Sequence, residues 1–162
     1  LEPSCLLTLR DEYLALLPGE DTLLLSKNAY LFEEFLAKEK LDGKLNLKLN
    51  PIANKQALLH GHCHQKAFAA MSPVQEVLGL IPELKVKTID SSCCGMAGSF
   101  GYEKEHYKVS MQMADLSLFP AIKEDAGDSI IVADGTSCRS QIQHGTGREA
   151  VHVARVLQMA LS

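Results

Sequence analysis

Ser129-Ile130-Ile131-Val132-Ala133-Asp134-Gly135-Thr136-Ser137-Cys138 is the stretch that decides how this chain folds. Its first half is unbroken and apolar apart from Ser129, the pattern of a strand in the middle of a parallel sheet with both faces covered. Its second half opens at Asp134-Gly135 and leads into a helix predicted to reach about Gln143. A strand that hands a cysteine to the start of a helix is one unit of an α/β fold, and the chain repeats it.

Upstream, Lys55 to Leu59 is a short apolar strand running into Gly61-His62-Cys63-His64. A helix is predicted from about Gln65, broken at Pro73 and resumed to about Leu80. Leu84 to Ile89 is a second strand, and its alternation of Leu84, Val86 and Thr88 with Lys85 and Lys87 places it near a sheet edge. It leads into Ser91-Ser92-Cys93-Cys94-Gly95. A long helix from about Tyr102 to Leu118 follows, with Val109, Met113 and Leu116 on one face, and Pro120 suits the first turn of a short successor. Val151 to Leu161 reads as a closing amphipathic helix.

The first quarter reads as helical. Leu6, Leu9, Tyr13, Leu16 and Leu17 form a stripe that ends at Pro18-Gly19. Ser26 offers an N-cap for a helix to about Leu41, with Tyr30, Leu31, Phe35 and Leu41 inward and Gly43 past its end. The expected fold is therefore α/β in three layers: a mostly parallel sheet with right-handed crossovers and helices on both faces, plus an N-terminal helical segment.

With 162 residues the chain fits one domain, able to bury roughly two thirds of its unfolded surface. It is 46% hydrophobic and 22% charged, without low-complexity tracts, so disorder is not expected. Sixteen basic residues against twenty acidic ones, scattered along the chain, argue against nucleic acid as a partner. No apolar run approaches the ~20 residues of a membrane-spanning helix, and no basic-then-apolar leader opens the chain. A cytoplasmic protein is expected. The chain starts at Leu1 rather than Met, which reads as a fragment of a larger protein.

Five cysteines is an odd number, and the adjacent Cys93 and Cys94 seldom close into an unstrained disulfide. Metal binding or catalysis is the better use of them. Cys63, Cys93, Cys94 and Cys138 each fall after a predicted strand and at or before a helix start, although 29 residues lie between Cys63 and Cys93 and 43 between Cys94 and Cys138. In a parallel sheet those positions share the carboxyl rim, where open α/β sheets bind ligands. Helix N-termini there stabilise thiolates, the state that binds metal. Four soft sulfur donors suit an iron–sulfur cluster or zinc.

His62 and His64 stand as candidate additional ligands, whereas His60, at the end of an apolar strand, reads as structural. His106, His144 and His152 do not read as ligands, and His152 suits a cap or a contact. Cys5 repeats the Ser-Cys pattern of Ser137-Cys138, a sign of internal duplication, and reads equally as a small buried hydrophobe. Gly95 to Gly101 lacks the ending of a phosphate-binding loop. Met111, Met113 and Met159 read as packing residues, and Glu33 to Lys40 as a solvated face.

Gly61-His62-Cys63-His64, Ser92-Cys93-Cys94-Gly95 and Gly135-Thr136-Ser137-Cys138 together resemble the second half of the duplicated cysteine-rich, or CCG, domain. That domain occurs in heterodisulfide reductase, in the iron–sulfur subunits of glycolate oxidase and anaerobic glycerol-3-phosphate dehydrogenase, and at the C-terminus of FAD-linked D-lactate and D-2-hydroxyglutarate type dehydrogenases. The resemblance covers nearly the whole chain, 1–162, as a single cysteine-rich domain, with residues 1–8 matching the close of a preceding repeat. It implies that Cys63, Cys93, Cys94 and Cys138 ligate an iron–sulfur cluster, expected to be of the 4Fe-4S type, and pass electrons to or from a flavin or quinone partner. In the fullest form of the motif the last segment reads Cys-x-x-Cys; here Gly135 takes the first of those positions, and Glu2 takes it in the earlier segment.

On this reading the chain is the electron-transfer part of an FAD-linked oxidoreductase acting on a 2-hydroxy acid or similar small substrate. The FAD sits on a partner, and the chain meets the membrane only through partners. The alternatives are a Cys/His zinc module and a thiol enzyme using Cys93 or Cys94 with His62 or His64 as base.

Overall fold

The structure, a computed structural model, describes residues 2–125 and 127–161. Its centre is a four-stranded sheet of β1 (Gln56–His60), β2 (Lys85–Thr88), β3 (Ile130–Ala133) and β4 (Ala150–Val151), in the order β2-β1-β3-β4. All three ladders are parallel, with Leu59 opposite both Thr88 and Val132. The α/β fold expected from sequence is present, with β2 at an edge and β3 inside the sheet. The chain leaves β1 for β2 on one side and returns to β3 on the other. The two connections diverge between the carboxyl ends of β1 and β3, and open α/β sheets place their binding crevices at such a point.

Among the described residues ten helices surround the sheet: α1 (Pro3–Thr8), α2 (Glu12–Leu16), α3 (Glu20–Asn28), α4 (Phe32–Leu41), α5 (Cys63–Ala67), α6 (Met71–Leu78), α7 (Tyr107–Asp115), α8 (Leu118–Lys123), α9 (Thr136–Thr146) and α10 (Val153–Ala160). Because side chains alternate across a strand, the sheet feeds two cores. Leu58, Ile131 and Ala133 point to one face, against Ala114, Leu118, Phe119, Ile122 and Ile142 of α7 to α9. Ala57, Leu59 and Val132 point to the other, against Leu36, Val74, Val77, Val156 and Leu157 of α4, α6 and α10. This makes the three layers. A satellite cluster of Leu7, Leu31 and Ala70 ties the N-terminal helices to the chain just before α6.

Several helices differ from the sequence expectation. The break expected at Pro73 falls earlier, at Phe68–Ala70, where Ala69 takes a left-handed φ of 55°. Pro73 then sits in the first turn of α6, where its missing N–H costs nothing. The Leu6–Leu17 stripe splits into α1 and α2, and Leu16 and Leu17 are 71% and 61% exposed. In place of a Ser26-capped helix there are α3 and α4, parted at Ala29 to Leu31, because the Leu31 N–H is taken by the Glu34 carboxylate at 2.9 Å. Of the residues expected inward there, Leu31 is buried, whereas Tyr30, Phe35 and Leu41 are exposed. The Tyr102–Leu118 helix reduces to a short 3-10 turn at Phe100–Tyr102 followed by α7, which buries Ser110 and Ala114 and leaves Val109 and Leu116 exposed. Pro120 lies in the first turn of α8, as expected. Helix α10 starts at Val153, capped by His152 Nδ1 accepting from the Ala154 N–H, so residues 150 and 151 are free to pair as β4.

Candidate metal centre

Three segments build the site, one from each of the connections that follow β1, β2 and β3. After β1, His62 is the N-cap of α5: its Nδ1 accepts from the His64 N–H at 3.2 Å, while Gln65 Oε1 accepts from the His62 N–H at 3.1 Å. This reciprocal capping box fixes Cys63 at the first helical position. Gly61 lets the Met71 side chain pack close to the backbone here: a Cβ would lie 2.5 Å from Met71 Sδ and would displace that flexible side chain. Lys66 on the same helix donates to the carbonyls of Ser91 and Ser92, pinning the approach to Cys93.

Cys93 and Cys94 lie in a series of turns, and the helix expected from about Tyr102 begins as an α-helix only at Tyr107, so no helix N-terminus adjoins the pair. Instead the Gly95 N–H donates to Cys93 Sγ at 3.3 Å. Gly95 has φ 92°, and a Cβ on it would meet Ser110 O at 2.3 Å, so both conformation and space demand glycine after the cysteine pair. Gln141, buried on α9, donates through Nε2 to the Cys94 carbonyl at 3.2 Å and to Ser110 O at 3.0 Å.

After β3, helix α9 carries Cys138 one turn before Gln141. Gly135, its N-cap, leaves room for the His62 ring: a Cβ there would lie 2.4 Å from His62 Cδ2 and 3.1 Å from Cys138 Sγ. Glu2 reaches across from the N-terminal segment, accepting from the Thr136 N–H and Thr136 hydroxyl, each at 2.8 Å. Burial pushes the Glu2 carboxyl up, but the Thr136 and Ser4 donors outweigh it and hold it below its usual range. The N-terminal segment is thus tied to the start of α9; Leu1, which belongs to the stretch read as the close of a preceding repeat, lies outside the described residues.

The four cysteines line one cavity of about 270 Å³ together with His62, His64 and Ser4. Cys94 and Cys138 are buried, with sulfurs 3.4 Å apart; Cys93 is partly exposed and Cys63 exposed. All four thiols are free, and so is Cys5, which is exposed and does not line that cavity. Cys138 accepts from Cys94 and is held at about 5 by that bond, against burial and with help from His60. Cys93 is held well below the ordinary thiol range, chiefly by the neighbouring Cys63 thiol, and Cys63 and Cys94 are pushed up by the sulfurs beside them. Burial lowers the His62 imidazole below its ordinary value, so this ring is neutral at pH 7.

His60 ends β1 and is 1% exposed. Its Nδ1 lies 2.9 Å from Ser91 Oγ, and its Nε2 is buried with no group at full hydrogen-bond distance among the described residues, although the ring is near enough to Cys138 to favour that thiolate. A ligand nitrogen of His60 and the sulfurs of Cys94 and Cys138 all lie within 4.8 Å of one another. A buried nitrogen without a full hydrogen bond costs about 1–3 kcal/mol, and converging soft donors are what a metal needs. The residues present fit a metal, with His60, Cys94 and Cys138 as its most compact donors.

Sequence reasoning gives the histidine role to His62 and His64. The structure puts both in the cavity wall, and it adds His60 on the buried side, next to Cys94 and Cys138. Two further residues have no separable signal in the sequence. Gln65 is buried and donates to both Glu33 Oε1 at 2.7 Å and Asp134 Oδ2 at 2.8 Å. Glu33, expected on a solvated face, is 1% exposed, and burial followed by the Asp134 charge raises its carboxyl to about 7.

Over 159 residues, 98% of its length, the chain is 34% identical to a subunit of the anaerobic glycerol-3-phosphate dehydrogenase of Escherichia coli K12, and it spans 39% of that subunit. It is 31% identical over 152 residues to D-2-hydroxyglutarate dehydrogenase of Haemophilus influenzae, covering 88% of this chain and 14% of that one. The corresponding protein of Escherichia coli K12 is 26% identical over 159 residues, which is 15% of its length. The chain is thus similar to parts of larger oxidoreductases. No protein-family model matches it, and no solved structure does.

Proposed function

We propose that this chain is the iron–sulfur electron-transfer domain of an FAD-linked dehydrogenase, with Cys63, Cys93, Cys94 and Cys138 as the cluster ligands. The observation that carries the reading is the meeting of four free thiols, drawn from three separate connections, in one cavity at the carboxyl rim of the sheet. A 4Fe-4S cluster there would supply one-electron carriage, which a chain with free thiols alone does not offer. The similarity to a subunit of a glycerol-3-phosphate dehydrogenase and to D-2-hydroxyglutarate dehydrogenases supports the choice of enzyme class.

The chain's own residues prepare the site. Gly95 aims a backbone N–H at Cys93, Gln141 fixes the Cys94 carbonyl, and the neutral His62 ring closes the gap above Gly135. Hydrogen bonds to ligand sulfurs tune a cluster's potential. The substrate, a 2-hydroxy acid or similar small molecule, is oxidised at the flavin of a partner domain or subunit, and a quinone or other acceptor completes the path. We place the assembly in the cytoplasm, peripheral to the membrane through its partners; among the described residues no helix is long and apolar enough to cross a membrane.

A zinc site is the second reading, favoured by the compactness of His60, Cys94 and Cys138. Visible and EPR spectra of anaerobically prepared protein separate the two. Broad visible absorption that bleaches on reduction, with a paramagnetic signal in one of the two oxidation states, supports the cluster. A colourless protein holding about one zinc per chain, unable to take up iron and sulfide, overturns it.

A further inference from the structure

We propose that His60 Nε2 is a protein ligand of this centre, so that the metal site is ligated by mixed sulfur and nitrogen. This rests on the metal-binding reading above and goes beyond its four-cysteine set. His60 sits at the end of β1 in the sheet interior, where Ala133 is its partner in register, so the backbone that carries it is held in place. Its ring is oriented by Ser91 Oγ at Nδ1, and Ser91 is in turn pinned through its carbonyl by Lys66. A metal-binding histidine is typically oriented in this way, by a hydrogen bond at the ring nitrogen that does not bind the metal. The other nitrogen, Nε2, is buried with no group at full hydrogen-bond distance among the described residues, and the ring is within ligand reach of the Cys94 and Cys138 sulfurs.

The neighbouring histidines are placed differently. His62 has its Nδ1 committed to the His64 N–H at 3.2 Å, where it caps α5. His64 has a buried, unpartnered Nδ1. It does not, however, belong to either compact donor group among the described residues, which are His60–Cys94–Cys138 and Glu33–Asp134–His152. Gly135 stands where the fuller cysteine motif has a further thiol, and His60 offers a donor beside Cys138 from the buried end of β1.

Two measurements on the full chain test the assignment. In the first, the anaerobic metal-free protein is titrated with Co(II), and sulfur-to-cobalt charge-transfer and ligand-field bands are followed. His60→Ala should weaken binding by about 10-fold or more, His144→Ala, at an exposed position on α9, should leave it within about 3-fold, and His60→Cys should restore it by replacing nitrogen with sulfur. In the second, iron-loaded reduced protein labelled with 15N-histidine is examined by pulsed EPR. A strongly coupled histidine nitrogen that disappears in His60→Gln and survives in His144→Gln supports ligation. Equal cobalt affinity in wild-type and His60→Ala protein, or iron-loaded wild type without a coupled nitrogen, overturns it. Failure to load iron and sulfide at all would count against the electron-transfer reading, and the cobalt titration would still decide the role of His60. Thermal melts of each metal-free variant identify any loss of affinity that comes from unfolding.

Discussion

The Cys94 and Cys138 sulfurs lie 3.4 Å apart although 44 positions separate them in sequence. The contact exists because β2 and β3 deliver their following segments to one rim and because Gln141, one turn beyond Cys138, holds the Cys94 carbonyl. The candidate site is thus a property of the connections between strands rather than of a local motif.

Gln141→Leu should show how much that clamp contributes. The substitution leaves the Cys94 and Ser110 carbonyls without their buried amide donor, at a cost of about 1–3 kcal/mol. For a domain of this size that lowers Tm by roughly 3–10 °C. Calorimetry of the metal-free variant checks it; an unchanged Tm would mean that the amide is not needed to hold the rim.

Gly135→Ala introduces a Cβ 2.4 Å from the His62 ring and should destabilise the fold by about 1–3 kcal/mol. In a His62→Ala background the same change should cost much less, because the collision has been removed. A double-mutant cycle by urea denaturation measures the coupling, and additive effects would place His62 elsewhere.

The buried Glu33 carboxyl gives stability a dependence on pH with a definite sign. Its value rises from an ordinary 4.5 to about 7 in the fold, through burial and the nearby Asp134 charge. Below 4.5 folded and unfolded chains both hold the proton. Between 4.5 and about 7 only the folded chain does, so stability falls as pH rises, and the loss is complete once pH has passed the folded value. Glu33→Gln, which keeps an acceptor for Gln65, should remove this loss and gain on the order of 2–4 kcal/mol relative to wild type between about pH 4 and pH 8. Parallel stability curves for the two proteins across that range would contradict the burial of a titrating Glu33.

Alkylation should rank the thiols of the metal-free chain. Cys93 is partly exposed and held as thiolate by its neighbours and the Gly95 N–H, so iodoacetamide at about pH 6 should modify it ahead of the exposed Cys63, whose thiol is pushed up. Cys138 favours the thiolate but is 2% exposed, and with Cys94 it should react only on unfolding. Timed labelling followed by peptide mass spectrometry gives the order. Faster labelling of Cys138 than of Cys93 would contradict the geometry of the pocket.

The sheet and its rim were legible in sequence because their signals are local: apolar runs at 55–59 and 129–133, a lysine-studded edge strand, and a cysteine soon after each. β4 was hidden because two residues carry no period. Helix boundaries were misplaced where side-chain caps decide them, as Glu34 does at Leu31 and His152 does at the start of α10. Glu33 sits in a charged run indistinguishable from solvated surface; its burial depends on Gln65, 32 positions away, and on Asp134, which the fold brings in from the far end of β3. His60 looked structural for the same reason. A strand end says which residue is buried but not that a ring nitrogen will come within 4.8 Å of two sulfurs.

The most direct test is iron and acid-labile sulfide content after anaerobic reconstitution, in wild type, Cys94→Ser, Cys138→Ser and Cys5→Ser. Iron and sulfide are expected in comparable amounts in wild type and Cys5→Ser, and their loss is expected in both Cys94→Ser and Cys138→Ser. Wild-type protein that remains free of iron and sulfide would contradict the proposed electron-transfer role, and a cluster retained in both Cys94→Ser and Cys138→Ser would contradict the proposed ligands.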